Sequence, residues 1–62
     1  MTRAQFDMLQ IKAIVAANKW LPKNHRLTEA AMVLVKHNQT VEVETLFTKE
    51  IRRYHYHYLR PL

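Results

Sequence analysis

Residues 36–62 read KHNQTVEVETLFTKEIRRYHYHYLRPL, and this stretch decides the fold class because it fits two periodicities. Taken as helical, Val41–Phe47 forms a short helix, and Thr48 caps a second helix that follows it. One face of that last helix, at spacings of three and four, would then carry Ile51, Tyr54, His55, Tyr58 and Leu59.

The same stretch also alternates with a period of two, which is typical of strands. Val41, Val43, Thr45 and Phe47 alternate with Glu42, Glu44 and Leu46. The three tyrosines of the later YHYHY run alternate with its histidines, and the two strands would join near residues 48–50. Local propensity favours the strands slightly, because β-branched and aromatic residues dominate both segments.

The first half of the chain favours helices. Thr2 and Gln5 have the spacing of a capping box, which predicts a helix that begins at about Arg3. Its apolar stripe, spaced as on one helix face, consists of Phe6, Leu9, Ala13 and Ala17, widened by Met8, Ile11, Ile14 and Val15. Trp20–Arg26 contains Pro22 and predicts a connection, and Leu27–His37 predicts a second helix, with Glu29 and Lys36 placed to suit its dipole.

Length and composition restrict the classes of function. The 62 residues allow a single domain, 1–62, which is near the size limit for a stable core, so we expect self-association. Ten Lys and Arg against five Asp and Glu leave a net charge of +5, the sign that attracts nucleic acid. There is no Cys for disulfides and no Gly for a phosphate-binding loop. The N-terminus lacks a signal-peptide pattern, and no apolar stretch has the length of a membrane span, so we expect a cytoplasmic location.

The order of features resembles a known family. TRAQFDML at residues 2–9 and the AxxVLV pattern at 30–35 resemble the KorA/TrfB-type transcriptional repressors of conjugative plasmids, over most of the chain. The resemblance implies a helix-turn-helix, with Thr40–Leu46 as its first helix and Thr48–Leu59 as its recognition helix. It also implies a homodimer that binds a palindromic operator in double-stranded DNA and represses genes of plasmid maintenance or conjugation.

This docking mode assigns roles to the outward residues of the motif. Arg52 and Arg53 would read base edges, since the guanidinium fork matches guanine, and Tyr56 would join them. The DNA backbone would be contacted by Lys36, Gln39, Thr48 and Lys49. A second interpretation of Arg52 and Arg53 is that they are solvated charges that keep a tyrosine-rich segment soluble.

The remaining aromatic and histidine residues favour packing over chemistry. Tyr54, Tyr58, Leu59 and Trp20 are the candidates for the core or the dimer surface. His55 and His57 share a face only in a strand, and no further ligand completes a metal set, so we expect no metal and no cofactor. The acids are scattered without a catalytic pattern, so we expect no enzyme activity.

The sequence therefore predicts an all-α protein, a small helical bundle with a helix-turn-helix in its C-terminal half, that binds double-stranded DNA. A second interpretation has two helices and a C-terminal β-hairpin. In that case the chain would be a basic protein-interaction module that binds its partner by strand addition or through its aromatic face.

Overall fold

The computed structural model describes residues 1–18 and 29–62, and in these ranges the chain is mostly β-sheet. In the described residues, one short helix precedes five strands, and the 3-10 turn Tyr56–Tyr58, hereafter the YHY turn, separates the last two strands. The elements are α1 (Arg3–Met8), β1 (Ile14–Ala17), β2 (Ala31–Lys36), β3 (Thr40–Thr45), β4 (Ile51–His55) and β5 (Leu59–Pro61). The all-α prediction is therefore wrong.

Alternation between a buried and a solvated face explains the central strands. In β3, Val41, Val43 and Thr45 are buried while Glu42 and Glu44 lie on the other face. This period of two suits a pleated strand with one wet face, and a helix would place valine and glutamate on the same side. Residues 40–45, which were predicted to lie in the first helix of the helix-turn-helix, therefore form a strand.

The sheet is antiparallel, with strand order β4-β3-β2-β1-β5. β4 and β5 are its two edges, yet only the three residues of the YHY turn join them. A flat sheet of five strands would be roughly 19 Å wide, whereas the four Cα steps from His55 to Leu59 span at most about 14 Å. The sheet must therefore curl strongly, so that its two edges approach each other.

A small aliphatic core lies inside the curled sheet. Val15, Val33, Val43 and Leu59 are fully buried. The other buried apolar members are Phe6, Ala17, Ala31 and Val41. Phe6 comes from α1, so the helix covers one end of the sheet.

The prediction for the start of α1 is confirmed, but its length is wrong. The Thr2 side chain accepts a hydrogen bond from the Gln5 N–H, and the Gln5 side chain accepts one from the Thr2 N–H. The helix ends at Met8, however, because Leu9 is extended and Lys12 takes a left-handed φ of 73°. Residues 14–17 then continue as β1.

The second predicted helix, Leu27–His37, is also wrong where the structure describes it. Residues 31–36 form β2, with Ala31 and Val33 buried and Val35 exposed. The predicted connection Trp20–Arg26, together with Leu27, lies outside the described residues.

The prediction of a helix-turn-helix over residues 40–59 is wrong, and the hairpin predicted by the second interpretation is confirmed in part. β3 and β4 pair as a hairpin whose connection is residues 46–50. The second half of the YHYHY run, however, leaves the strand and forms the YHY turn. Of the two helices in that interpretation, only α1 is present in the described residues. β1 and β2 lie within the segments that were predicted as helices, and β5 follows the YHY turn.

Candidate nucleic-acid interface

Three aromatic rings stack where α1 meets the YHY turn. The Phe6 and Tyr56 ring centroids lie 4.9 Å apart with planes 20° from parallel, and the His55 ring lies 4.4 Å from Tyr56 at 28°. We call Phe6, Tyr56 and His55 the ring stack. It joins residues 50 positions apart in sequence, so only the curl of the sheet brings these rings together.

Two cations lie against the ring stack. Lys36 Nζ is 4.9 Å from the centre of the Phe6 ring and donates to the Leu9 carbonyl at 3.0 Å and the Asp7 carbonyl at 3.3 Å. The Arg3 guanidinium lies 5.4 Å from the Phe6 ring and 5.8 Å from the Tyr56 ring. Both are at cation–π distance, so positive charge lies beside the ring stack, in which Phe6 is buried and the half-buried Tyr56 and His55 supply the accessible ring atoms.

Arg3 is held by two further partners. Its Nε lies 3.2 Å from a carboxylate oxygen of Asp7, one helical turn along α1, and its Nη1 donates to the Asn38 carbonyl at 3.2 Å. The bond to Asn38 ties α1 to the turn between β2 and β3. The guanidinium has five N–H donors, so donors remain for a ligand.

Backbone and side-chain hydrogen bonds fix the YHY turn. The Tyr56 N–H donates to the Gln39 carbonyl at 3.1 Å, and His55 Nδ1 accepts from the His57 N–H at 3.0 Å. Asn18, just after β1, donates its N–H to the Tyr58 carbonyl and its side-chain amide to the His57 carbonyl. The turn is therefore attached to both ends of the sheet.

A groove opens between α1 and the YHY turn, with a volume of about 440 Å³. We call it the N-terminal groove. Its lining combines rings, amides and a guanidinium: Met1, Thr2, Arg3, Gln5, Asn18, Tyr56 and His57. The Met1 ammonium donates to the Tyr56 and Leu59 carbonyls, and burial lowers the pKa of this group.

The hairpin of β3 and β4, residues 40–55, is electrically balanced. It carries three acids and three cations by sequence: Glu42, Glu44, Glu50, Lys49, Arg52 and Arg53. Arg52 Nη2 lies 2.8 Å from Glu50, which raises the pKa of Arg52. Arg53 Nη2 lies 3.0 Å from Glu42, and the hydrogen bonds from Arg53 and then His37 lower the pKa of the Glu42 carboxyl.

Arg52 and Arg53, predicted to face DNA together from a helix, therefore lie on a strand. They pair with Val43 and Glu42 of β3 at successive positions, so their side chains point to opposite faces of the sheet. Each side chain is about half exposed and each is bound to a carboxylate.

The residues predicted to contact the DNA backbone separate into two groups. Lys36 and Gln39 lie beside the ring stack, and Tyr56, one of the predicted base contacts, belongs to it. Thr48 and Lys49 lie in the hairpin turn instead. There Thr48 contacts Thr45 Oγ1 at 2.6 Å, and its N–H donates to a Glu29 carboxylate oxygen at 3.0 Å.

The residues predicted to pack take different environments. Leu59 is fully buried, and Tyr54 is half-buried against the core. Tyr58 is 40% exposed in the YHY turn, with its ring edge-on to His55. Trp20 lies outside the described residues.

Sequence reasoning missed four residues of this surface. Arg3, Gln5, Phe6 and Asn18 were predicted helix residues, with Phe6 on the apolar stripe and Gln5 in the capping box. The spacing of Arg3 and Asn18 in the sequence fits no binding motif, so it did not indicate a functional role for either residue. Their role depends on the sheet that closes behind them.

Comparison with known proteins adds nothing to this geometry, because no family model, no curated protein and no solved structure matches the chain. Within residues 1–18 and 29–62, no three His, Asp or Glu side chains group as metal ligands. In the same ranges, no helix has the length and apolar character needed to cross a membrane.

Proposed function

We propose that this protein is a nucleic-acid-binding module that uses the surface formed by α1 and the YHY turn, hereafter the α1 surface. The observation that carries the proposal is the coincidence of Arg3 and Lys36 with the ring stack. Cations bind phosphates and aromatic rings bind bases, so this combination serves nucleic acid better than either feature alone.

The distribution of charge argues against the hairpin as the interface. The hairpin is neutral, with three cations against three acids, so it offers no net attraction to phosphate. Residues 1–18 carry Arg3 and Lys12 against Asp7, and residues 56–62 carry Arg60 without an acid. Residues 19–28 contribute three further cations and no acid by sequence. The surplus of positive charge therefore belongs to the segments outside the hairpin.

The regulatory role predicted from the resemblance stays a prediction. Dimeric repression of a palindromic operator needs an element that enters the major groove, and the helix-turn-helix that would do so is replaced by strands. A role in regulation would have to use the α1 surface.

Two matched arginine variants test whether the nucleic-acid interface lies at the α1 surface or at the hairpin. Arg3 and Arg52 are both half-exposed and both bound to a carboxylate on their own element or beside it. We expect Arg3→Gln to weaken binding of a labelled oligonucleotide at about 0.1 M salt, measured by fluorescence anisotropy, and Arg52→Gln to leave it unchanged. The reverse result would move the interface to the hairpin, and no binding by the parent protein at low salt would refute the proposal.

A second function, the binding of an extended peptide, is favoured by the edge of β4. The hydrogen bonds Thr45 N–H to Glu50 and Tyr56 N–H to Gln39 fix which residues face β3. By alternation, the N–H and C=O groups of Ile51, Arg53 and His55 point away from β3. The β5 edge is less open, since Pro61 has no N–H and the Leu59 carbonyl accepts from Asn18.

Strand addition would be seen with a synthetic peptide of sequence TVEVET, the β3 segment, whose glutamates and valines suit β4. In NMR titration the amide signals of Ile51, Arg53 and His55 should shift, and Arg53→Pro should abolish the shift by removing one edge donor. Shifts confined to other residues would exclude this edge as a peptide site.

A further inference from the structure

We infer that the N-terminal groove takes an unpaired nucleotide of a single strand, so that the ligand of the α1 surface is single-stranded nucleic acid. The inference rests on the proposed function and narrows its ligand class. The side chains that line the groove differ from those of a surface suited to a duplex.

The two amides of the groove leave one donor and one acceptor. Gln5 Oε1 accepts from the Thr2 N–H, so its NH₂ group remains as a donor. The Asn18 NH₂ group donates to the His57 and Leu59 carbonyls, so its Oδ1 remains as an acceptor. A donor and an acceptor that line the same groove match the edge of a nucleobase, which also presents both.

Arg3 supplies the phosphate site of the same groove. Its Nε and Nη1 are bound to Asp7 and to the Asn38 carbonyl, which fixes the plane of the guanidinium beside the rings. The donors that remain are those of Nη2 and the second N–H of Nη1. Base-binding amides and a phosphate-binding guanidinium therefore line one cavity of about 440 Å³, which is in the size range of small-ligand sites.

A duplex does not fit this arrangement. Base edges of a duplex lie at the floor of a groove and are reached by elements that protrude, whereas the amides and Tyr56 line a concave surface. α1 has six residues and its Phe6 packs against the Tyr56 ring, so the helix does not protrude. A single strand can turn one base out into the groove and leave its backbone on Arg3 and Lys36.

The test is binding of fluorescein-labelled dT12, U12 and a 12-base-pair duplex, measured by anisotropy at about 0.1 M salt with the full chain. We expect at least one of the two single strands to bind at least tenfold more tightly than the duplex. The free mononucleotide UMP should compete only at far higher concentration, since it lacks neighbouring phosphates.

Variants locate the contact. Tyr56→Leu and Gln5→Glu should each reduce single-strand affinity at least fivefold, because the first removes a ring and the second keeps the bond from the Thr2 N–H but replaces the base-facing donor by a charged acceptor. Tyr56→Phe keeps the ring and should keep the affinity, which also separates a lost contact from a lost fold. Far-UV circular dichroism of each variant checks that the sheet is retained.

The outcomes separate the two proposals. Binding of the duplex as tightly as both single strands would refute the single-strand inference and leave the α1 surface as a nucleic-acid site. Competition by UMP at the same concentration as the oligonucleotide would also refute it, in favour of a mononucleotide site. If neither form binds the parent protein, both proposals fail.

Discussion

At the scale of single residues, the absence of glycine is compensated by lysines. Lys12 and Lys49 take φ of 73° and 62°, which is the left-handed region that glycine occupies without steric cost. Lys49 ends the hairpin turn, where its N–H donates to the Thr45 carbonyl at 3.1 Å. The chain therefore accepts backbone strain in order to close this turn.

Replacement of Lys49 by glycine should stabilise the protein. Lys49→Gly removes the Cβ clash, and after the entropy lost by glycine on folding we expect a gain of about 0.5–1 kcal/mol in the free energy of unfolding. Lys49→Ala removes the same charge but keeps the Cβ, so it serves as the control and should show no gain. Urea unfolding of both variants measures the difference, and equal midpoints would argue against strain at this position.

Glu29 stabilises the same turn from outside it. One carboxylate oxygen of Glu29 accepts from the Thr48 N–H at 3.0 Å and the Phe47 N–H at 2.9 Å. These bonds lower the pKa of Glu29 below its ordinary value, and the bond from the Thr48 N–H has the largest effect. A carboxyl with a lowered pKa in the folded state adds stability above its ordinary pKa of about 4.3, and this contribution is lost as the pH falls through the folded value.

Glu29→Gln should therefore lower the urea midpoint at pH 7 and leave it nearly unchanged at pH 2. The difference between the two proteins should disappear as the pH falls below about 4. Glu44→Gln is the control, since no hydrogen bond or ion pair involves the Glu44 side chain among the described residues. A constant difference at all pH values would show that the Glu29 charge is not the cause.

At the scale of elements, the sequence predicts some strands and not others for a physical reason. β3 alternates valine and glutamate over a solvated face, so its pattern is visible locally. Phe6, Leu9, Ala13 and Ala17 repeat as on a helix, but Ala17 belongs to a four-residue strand and Phe6 to a six-residue helix. The backbone leaves the helical conformation at Leu9 and turns at Lys12, whose φ is positive. The spacing of the apolar side chains does not reveal this change.

The ring stack could not be predicted, because it depends on contacts between distant segments. Phe6 meets Tyr56 only after the sheet has curled and the YHY turn has crossed from one edge to the other. Tyr56 and Lys36 were recognised as candidates by type, but not as neighbours. Local pattern identifies chemically useful residues, and topology decides which of them meet.

The orientation of β4 makes a prediction about proline. Arg52 pairs with Val43 with its N–H toward β3, whereas the N–H of Arg53 points away from it. Arg52→Pro should cost about 1–3 kcal/mol, because the Val43 carbonyl loses its donor, and Arg53→Pro should cost less. Each variant removes an arginine that is bound to a glutamate, so they control for each other. Thermal unfolding measures both, and a larger loss for Arg53→Pro would contradict the strand register.

At the scale of the whole molecule, net charge and local placement of charge make different predictions. The net charge of +5 would attract any polyanion over the distance that salt allows, wherever the cations lie. If a surface binds phosphates directly, its affinity depends instead on the few cations that contact the phosphates. The two cases therefore predict different effects when individual lysines are replaced.

Lys36 and Lys49 separate these cases, because either change to glutamine lowers the net charge from +5 to +4. Lys36 lies over the Phe6 ring, whereas Lys49 lies in the turn of the neutral hairpin. If the α1 surface binds the strand, Lys36→Gln should weaken dT12 binding and flatten the plot of log K against log salt by about 0.7. Lys49→Gln should then change neither quantity. Equal effects of the two variants would mean that binding follows net charge alone, because a long-range field does not distinguish two lysines whose removal changes it by the same amount.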